Sequence, residues 1–166
     1  MKAYQDASLA PVRRAKALLE EMTLAEKVGQ INQRLYGFRI YERKCVNGED
    51  TIELSEEFCQ EVEKYSGLGV LYGLYRADPW ADKNYETGLT GVLSKKAYNQ
   101  VQRYVLEHSR LGIPVMMSSE CPHGHQALDG YLLPVNLLAG ATFDPAMVRA
   151  AYRVSGRQLQ NMGVDL

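Results

Sequence analysis

Cysteine, tryptophan and long apolar runs are scarce in this chain of 166 residues, and each scarcity argues against a class of protein. The three cysteines, Cys45, Cys59 and Cys121, are odd in number and far apart, so a disulfide framework is not expected. No apolar run reaches the roughly 18 residues that a membrane-spanning helix needs. The first ten residues, MKAYQDASLA, lack the apolar core of a signal peptide, so we expect a cytoplasmic protein. A secreted protein whose leader had been removed would have the same sequence.

The chain also has little excess charge. Its 19 Lys and Arg residues nearly balance its 20 Asp and Glu residues, which leaves a net charge of -1. Such a balance provides no cationic surface for nucleic acid or for an anionic membrane, so neither is an expected partner. With 46% hydrophobic and 23% charged residues, the composition is that of a globular domain with one apolar core.

The spacing of the apolar residues and the positions of glycine and proline predict helices that alternate with short strands. Asn47-Gly48 predicts a hairpin turn within residues 39–52, outside the alternating part. Helix alternating with strand is typical of right-handed parallel βαβ units, so we expect an α/β fold. Helices are predicted at residues 10–22, 23–31, 55–65, 94–111 and 144–162, and buried strands at 67–73, at 113–117 and from 163 onward.

Polar side chains concentrate directly after the predicted strand at 113–117. The segment SSECPHGH, residues 118–125, carries a carboxylate and two imidazoles that a core strand would not contain. Ligands bind at the carboxyl ends of parallel strands in α/β barrels and open α/β sheets, which makes Glu120 a candidate binding residue. The alternative is a loop whose polar groups only satisfy the local backbone.

Five short motifs in this order carry a family resemblance. MTLAEKVGQ at 22–30 is followed by GIP at 112–114, ECPHG at 120–124, LP at 133–134 and ATFDP at 141–145. Together they resemble glycoside hydrolase family 3, in which an acidic residue precedes Leu-His-Gly or Val-His-Gly and is followed by Phe-Pro and Ala-Thr-(Phe/Trp)-Asp-Pro. Pro122 replaces the usual Leu or Val, and Leu133 the usual Phe, which puts the subfamily and the sugar in doubt.

The resemblance implies a partial (β/α)8 barrel of the TIM type. A complete barrel needs about 200 to 400 residues, so we interpret residues 1–166 as the N-terminal part of a barrel domain. Residues 1–32 would be leading helices and residues 33–166 the first strand-helix units. The parent would be a retaining β-glycosidase, β-glucosidase-like, that hydrolyses terminal O-glycosidic bonds without cofactor or metal. Its partners would be the carbohydrate substrate and the remainder of the parent chain.

The resemblance also assigns roles to residues. Glu120 would bind hydroxyls of the sugar beside the scissile bond, a role that suits a carboxylate because it only accepts hydrogen bonds. The alternative for Glu120 is a salt bridge within its loop. A retaining enzyme needs two carboxyl groups about 5 to 5.5 Å apart, and the family motifs for nucleophile and acid/base are absent, so we expect no catalytic residue and no activity in this segment. His123 and Trp80 are further candidates for sugar contact, although shaping the loop and packing at an edge are the commoner roles of such residues.

Two other kinds of site fit the sequence poorly. A zinc site of Cys121, His123, His125 and His108 matches no common ligand spacing. The glycines of 67–73 do not have the spacing of a dinucleotide-binding loop. A non-catalytic carbohydrate-binding or interaction module derived from the same fold stays open as the alternative function. About three strand-helix units would leave open sheet edges, so self-association is expected.

Overall fold

The computed structural model describes residues 2–166, which form a mixed α/β fold with short strands. Two 3₁₀ turns lie at Ala3–Gln5 and Gly37–Arg39. The helices are α1 (Pro11–Glu21), α2 (Leu24–Ile31), α3 (Glu56–Tyr65), α4 (Gly91–Glu107), α5 (Asn136–Gly140) and α6 (Pro145–Asn161). The strands are β1 (Tyr41–Val46), β2 (Glu49–Leu54), β3 (Val70–Tyr72) and β4 (Met116–Ser118).

Local sequence signals begin most of the helices. Pro11 occupies the first turn of α1. A backbone N–H in that turn would have no intrahelical acceptor, so proline, which lacks one, is tolerated there. The Thr23 hydroxyl accepts from the Glu26 backbone N–H, and the Glu26 carboxylate accepts from the Thr23 N–H, which is a capping box at the start of α2. Ser55 caps α3 and Asp144 caps α6. These predicted helix starts are confirmed.

The Asn47-Gly48 hairpin is confirmed. Both residues have positive φ, 53° and 82°, as a two-residue turn that follows the strand twist requires. Strands β1 and β2 pair antiparallel in the register Tyr41 to Leu54. The hairpin stands apart from the parallel strands and packs against α4.

Helix α4 differs from the prediction at both ends, and β4 at its start. The helix begins three residues earlier than the predicted 94, where the Gly91 N–H donates to Oδ2 of Asp129 at 2.6 Å. It ends at Glu107 rather than near 111, because the chain turns there and the Arg110 N–H donates to the Ser66 hydroxyl at 3.0 Å. Strand pairing starts at Met116, not at 113. The short α5 was not predicted, since it has no side-chain cap.

Parallel backbone segments lie side by side in chain order. Strand β3 pairs with β4 in the register Val70 to Met116, and Tyr36 forms a parallel bridge with Tyr72 on the outer edge of β3. On the outer edge of β4, the Leu166 N–H donates to the Met117 carbonyl and the Ser119 N–H donates to the Leu166 carbonyl, as in a parallel pair. Residues 165 and 166 therefore run beside β4, but no strand is formed there, so the further strand expected after 163 stays a prediction.

Within residues 2–166 one face of these parallel segments is covered and the other is open. Leu71 and Met117 point into the core beneath α3 and α4, with exposed fractions of 0% and 1%. On the opposite face, Tyr36 and Met116 stay exposed. The core is a cluster of Leu35, Ile40, Tyr41, Ile52, Phe58, Val62, Leu68, Leu71, Leu74, Tyr75, Leu89, Leu93, Ala97, Val101, Val105, Val115, Met117 and Ala127.

The expected α/β class is thus confirmed, whereas the barrel stays a prediction. Among residues 2–166 no helix has both the length and the apolar character that a membrane crossing requires.

Candidate functional site

Glu120 follows β4 by two residues, at the carboxyl end of the parallel segments, and its side chain is 58% exposed. One of its carboxylate oxygens, Oε2, accepts from the Tyr72 hydroxyl at 2.8 Å and from NH1 of Arg76 at 2.9 Å. Tyr72 is the last residue of β3, so both neighbours of Glu120 come from the adjacent strand and the loop after it. The other oxygen, Oε1, has no hydrogen-bond partner among residues 2–166.

Arg76 is held from the side opposite to Glu120 by Asp78. NH2 and Nε of Arg76 lie 2.6 Å and 2.9 Å from Oδ2 of Asp78. Oδ1 of Asp78 accepts from the Ala81 N–H at 2.9 Å. The side chains of Arg76 and Asp78 are only 14% and 16% exposed, so the guanidinium lies in a partly buried frame beneath the accessible Glu120. NH1 of Arg76 also donates to the Tyr72 hydroxyl.

Trp80 forms the aromatic side of this group. Its ring centre lies 4.7 Å from the guanidinium carbon of Arg76, and its ring meets Tyr36 and Phe38 edge-on with centroids 5.0 Å apart. Trp80 is 48% exposed. The guanidinium covers one face of the indole, and the exposed remainder of the ring is suited to bind the apolar C–H face of a sugar.

The charges of the group are fixed by mutual contact. The hydrogen bonds from Tyr72 and then Arg76 lower the pKa of the Glu120 carboxyl. Burial, followed by the bond to Glu120, raises the pKa of Tyr72 to about 12. Burial disfavours charge on Arg76 and Asp78, but their bonds outweigh it, so the pKa of Arg76 is raised and that of Asp78 is lowered. At neutral pH the group therefore contains two carboxylates, one guanidinium and a neutral phenol.

His123 belongs to the loop that follows rather than to the Glu120 group. Its Nε2 lies 3.1 Å from Nε2 of Gln126, and its backbone carbonyl accepts from the Leu133 N–H at 2.7 Å. Gly124, next in the chain, has φ +88°, and a Cβ there would lie 2.1 Å from the Tyr131 carbonyl oxygen. The His-Gly pair thus folds residues 120–133 back on themselves, and the contacts of His123 are within this loop.

His125, to which the sequence assigned no role, is fully buried. Its side chain is edge-on to Tyr75, and neither ring nitrogen has a hydrogen-bond partner within residues 2–166. Burial lowers the pKa of the imidazole. In the described part of the chain, no group of three or more His, Cys, Asp or Glu side chains is arranged to hold a metal ion.

A large groove of about 1230 Å³ lies elsewhere, between α4 and α6. Tyr98 and Lys95 line one wall and Arg157 the other, and Tyr131 borders it. None of the residues of the Glu120 group takes part in it.

The chain is similar to part of one curated protein. It is 29% identical, over 165 residues, to a protein of Formosa agariphila named "Putative beta-xylosidase". The match covers 99% of this chain but only 20% of that relative, so the chain spans about one fifth of the relative's length. No family model matches the chain. The similarity indicates that this chain is related to a segment of a glycosidase.

The site residues found from the sequence and those found from the structure overlap in part. Glu120 and Trp80 lie in one group, joined through Arg76, whereas His123 does not contact that group. Tyr72, Arg76 and Asp78 were missed. The signal for the last two was the pair of charged residues in RADPW at 76–80, which lies between the strand predicted at 67–73 and the helix predicted from 94.

Proposed function

We propose that this chain is the first part of a glycoside hydrolase family 3 barrel, whose parent is a retaining β-glycosidase acting on terminal β-linked sugars. The Formosa relative supports a glycosidase parent, and its name, beta-xylosidase, favours xylosides among the sugars to test. The order of the parallel segments, from Tyr36 through β3 and β4 to Leu166, agrees with the first units of a barrel wall.

The observation that carries the proposal is the state of Glu120. Its carboxylate is ionised and lies at the carboxyl end of the strands, and within residues 2–166 Oε2 is bound while Oε1 is free. A free carboxylate oxygen accepts a hydroxyl hydrogen in a charge-assisted bond, and Trp80 offers a surface for the sugar ring nearby. The group therefore suits binding of a sugar on one side of a larger active site.

This group does not suit bond cleavage by itself. Asp78 is the other carboxylate in it, but both of its oxygens are occupied, by Arg76 and by the Ala81 N–H. It is therefore not available as nucleophile or acid, and the family resemblance assigns these roles to residues outside this segment. We expect no turnover of nitrophenyl glycosides by the pure 166-residue chain.

The test uses the 166-residue chain and its only tryptophan, Trp80, as the reporter. Methyl β-D-xyloside and methyl β-D-glucoside are titrated while Trp80 emission and heat of binding are recorded. We expect saturable weak binding that Glu120→Gln reduces, whereas Glu107→Gln, a change at an exposed helix end, leaves it unchanged. Absence of any binding by the wild-type chain would refute the proposed sugar site.

A second experiment separates the enzyme from a non-catalytic module. The gene is sequenced beyond Leu166, and the longer protein, where one is encoded, is assayed on the same glycosides. In an active parent, Glu120→Gln should lower kcat/KM, because hydroxyl contacts strengthen in the transition state. A stop codon after Leu166, with sugar binding retained, would favour the module.

A further inference from the structure

Arg76 joins every polar and aromatic member of the Glu120 group. Its NH1 contacts Glu120 and Tyr72, its Nε and NH2 contact Asp78, and its guanidinium lies against the Trp80 ring. No other residue of the group touches all four. The planar guanidinium, with its fixed donor directions, can hold partners on several sides at defined angles.

The two carboxylates around Arg76 differ in accessibility. Asp78, at 16% exposed, anchors the guanidinium from within, and its other oxygen is tied to the backbone of Ala81. Glu120, at 58%, faces solvent. Because the inner partner is fixed to the backbone, the guanidinium presents NH1 outward in one position, and Glu120 is held by that edge.

The consequence for Glu120 is that its two oxygens are no longer equivalent. Oε2 is occupied by Arg76 and Tyr72, so a ligand hydroxyl meets Oε1. Arg76 also fixes where the indole of Trp80 stands relative to that oxygen, since the same guanidinium contacts both side chains.

We propose that Arg76, anchored by Asp78, is a positioning residue that sets Glu120 and Trp80 in the mutual arrangement that a neutral sugar requires. The sugar is held by one hydroxyl on Oε1 of Glu120 and by its apolar ring face on the side of the Trp80 indole that the guanidinium does not cover. Both carboxylates already pair with the guanidinium, so its positive charge is balanced and does not attract an anionic ligand. The ligand class is therefore an uncharged sugar. The ligand half of this inference rests on the proposed function.

The first test compares three variants that each remove one arginine. Arg76→Met should weaken binding of methyl β-D-xyloside about tenfold or more, because a hydrogen-bonded charge is lost from the site. Arg39→Met is the matched control: Arg39 lies over the Tyr36 and Phe38 rings of the same aromatic cluster but makes no bond to Glu120. Arg110→Met removes an arginine–carboxylate pair far from the site and should lower stability without changing binding.

Two conservative variants and one charged ligand extend this test. Arg76→Lys keeps the charge but not the forked geometry, so it should restore only part of the affinity. Asp78→Asn, which loosens the anchor and leaves Glu120 and Trp80 in place, should also weaken binding. The wild-type chain should bind methyl β-D-glucuronide more weakly than the uncharged glucoside. Equal affinity of Arg76→Met and wild type for the xyloside would overturn the inference.

A second readout needs no sugar. The charged and titratable groups that face Glu120 are Tyr72 on β3 and Arg76 and Asp78 on the following loop. In ¹³C spectra the Glu120 carboxyl should titrate at higher pH in Arg76→Met than in wild type, and in Asp78→Asn the Trp80 emission should shift. If Arg76→Met does not fold, Arg76→Lys and Asp78→Asn supply the same comparison.

The proposed sugar site and the positioning role of Arg76 are refuted by different results. A wild-type chain that binds no sugar refutes the sugar site, while the Glu120 titration still decides whether Arg76 positions it. A Glu120 titration and a Trp80 emission that are the same in wild type, Arg76→Met and Asp78→Asn would refute the positioning role, whatever the chain binds.

Discussion

Arg110 donates hydrogen bonds to both carboxylate oxygens of Glu26, although 84 residues separate the two. Nε lies 2.9 Å from Oε1 and NH2 lies 2.7 Å from Oε2, the two-point geometry that makes such pairs strong. Glu26 is buried and also completes the capping box of α2. The pair therefore ties a leading helix to the turn that precedes β4.

Loss of this pair should destabilise the chain in a pH-dependent way. Glu26→Gln keeps the shape of the capping residue but removes the charge, and should lower the free energy of unfolding by about 1 to 3 kcal/mol at pH 7. The bond from Arg110, assisted by those from Thr23, lowers the pKa of Glu26 from its usual 4.5 to about 2. A lowered folded-state pKa means that the stabilisation is complete above pH 4.5 and is lost as the pH falls toward 2.

Urea unfolding of wild type and Glu26→Gln from pH 7 down to pH 3 checks this expectation. The difference between them should shrink below pH 4.5. The control is Glu42→Gln, which breaks a solvent-exposed pair with Lys44 and should change little. A constant difference across the pH range would contradict the role of the Glu26 charge.

Gly124→Ala should disrupt the loop that carries Glu120. Gly124 and Gly48 have nearly the same positive φ, +88° and +82°, but only at Gly124 would a Cβ collide with backbone, the Tyr131 carbonyl at 2.1 Å. Gly48→Ala should therefore cost only the left-handed strain, about 1 to 2 kcal/mol. Gly124→Ala should cost more than about 2 kcal/mol, because the loop must also move.

The measurement is urea unfolding of both variants, with Trp80 emission in the folded state as a second signal. Emission should change in Gly124→Ala, because its loop carries Glu120 and pairs with Arg76 through Ala127, and not in Gly48→Ala. Equal stability losses in the two variants would show that the collision with Tyr131 is relieved without cost.

The sequence predicted correctly those features that depend on contacts between residues close together in the chain. The caps Thr23, Ser55 and Asp144 fixed three helix starts, and Asn47-Gly48 fixed the hairpin turn, because each acts on residues within four positions. The strand ends were predicted less well, since the start of pairing at Met116 depends on where β3 lies across the sheet.

The same distinction between local and long-range contacts applies to the candidate site. The position of Glu120 after a buried strand is a local feature, and the sequence located it. The bond from Arg76 spans 44 residues and arises because β3 and β4 are neighbours with Tyr72 opposite Ser118. The spacing of residues along the sequence does not indicate such a contact, so Arg76 and Asp78 were not among the predicted site residues.

His125 should make the chain sensitive to mild acid. Burial lowers the pKa of its imidazole from the usual 6.5, and neither ring nitrogen is hydrogen-bonded in the described part of the chain, so the unfolded chain takes up a proton before the folded chain does. Stability is therefore full above pH 6.5 and falls as the pH drops below it, by about 1.4 kcal/mol for each unit of pKa lowering. In His125→Phe this loss should be absent between pH 7 and pH 5.5. Thermal unfolding of both proteins at those pH values measures this loss. The same decrease in unfolding temperature between pH 7 and pH 5.5 in both proteins would contradict the prediction.

Self-association is the expected behaviour of the isolated chain. Large apolar side chains cluster between residues 131 and 147, and Leu137 and Phe143 there are 87% and 92% exposed. The open face with Tyr36 and Met116 adds further apolar surface. Exposed apolar surface of this extent favours contact with another copy, because burying it releases water.

The double variant Leu137→Glu, Phe143→Glu should shift the chain from concentration-dependent oligomers toward monomer in light scattering. Val12→Glu, at a position on α1 that is 67% exposed, is the control and should leave the association unchanged, since Val12 lies outside the cluster. Both side chains of the double variant are solvent-exposed, so the fold should tolerate the charges, which thermal unfolding can verify. A wild-type chain that scatters as a monomer at all concentrations would mean that this apolar surface is too dispersed to drive association.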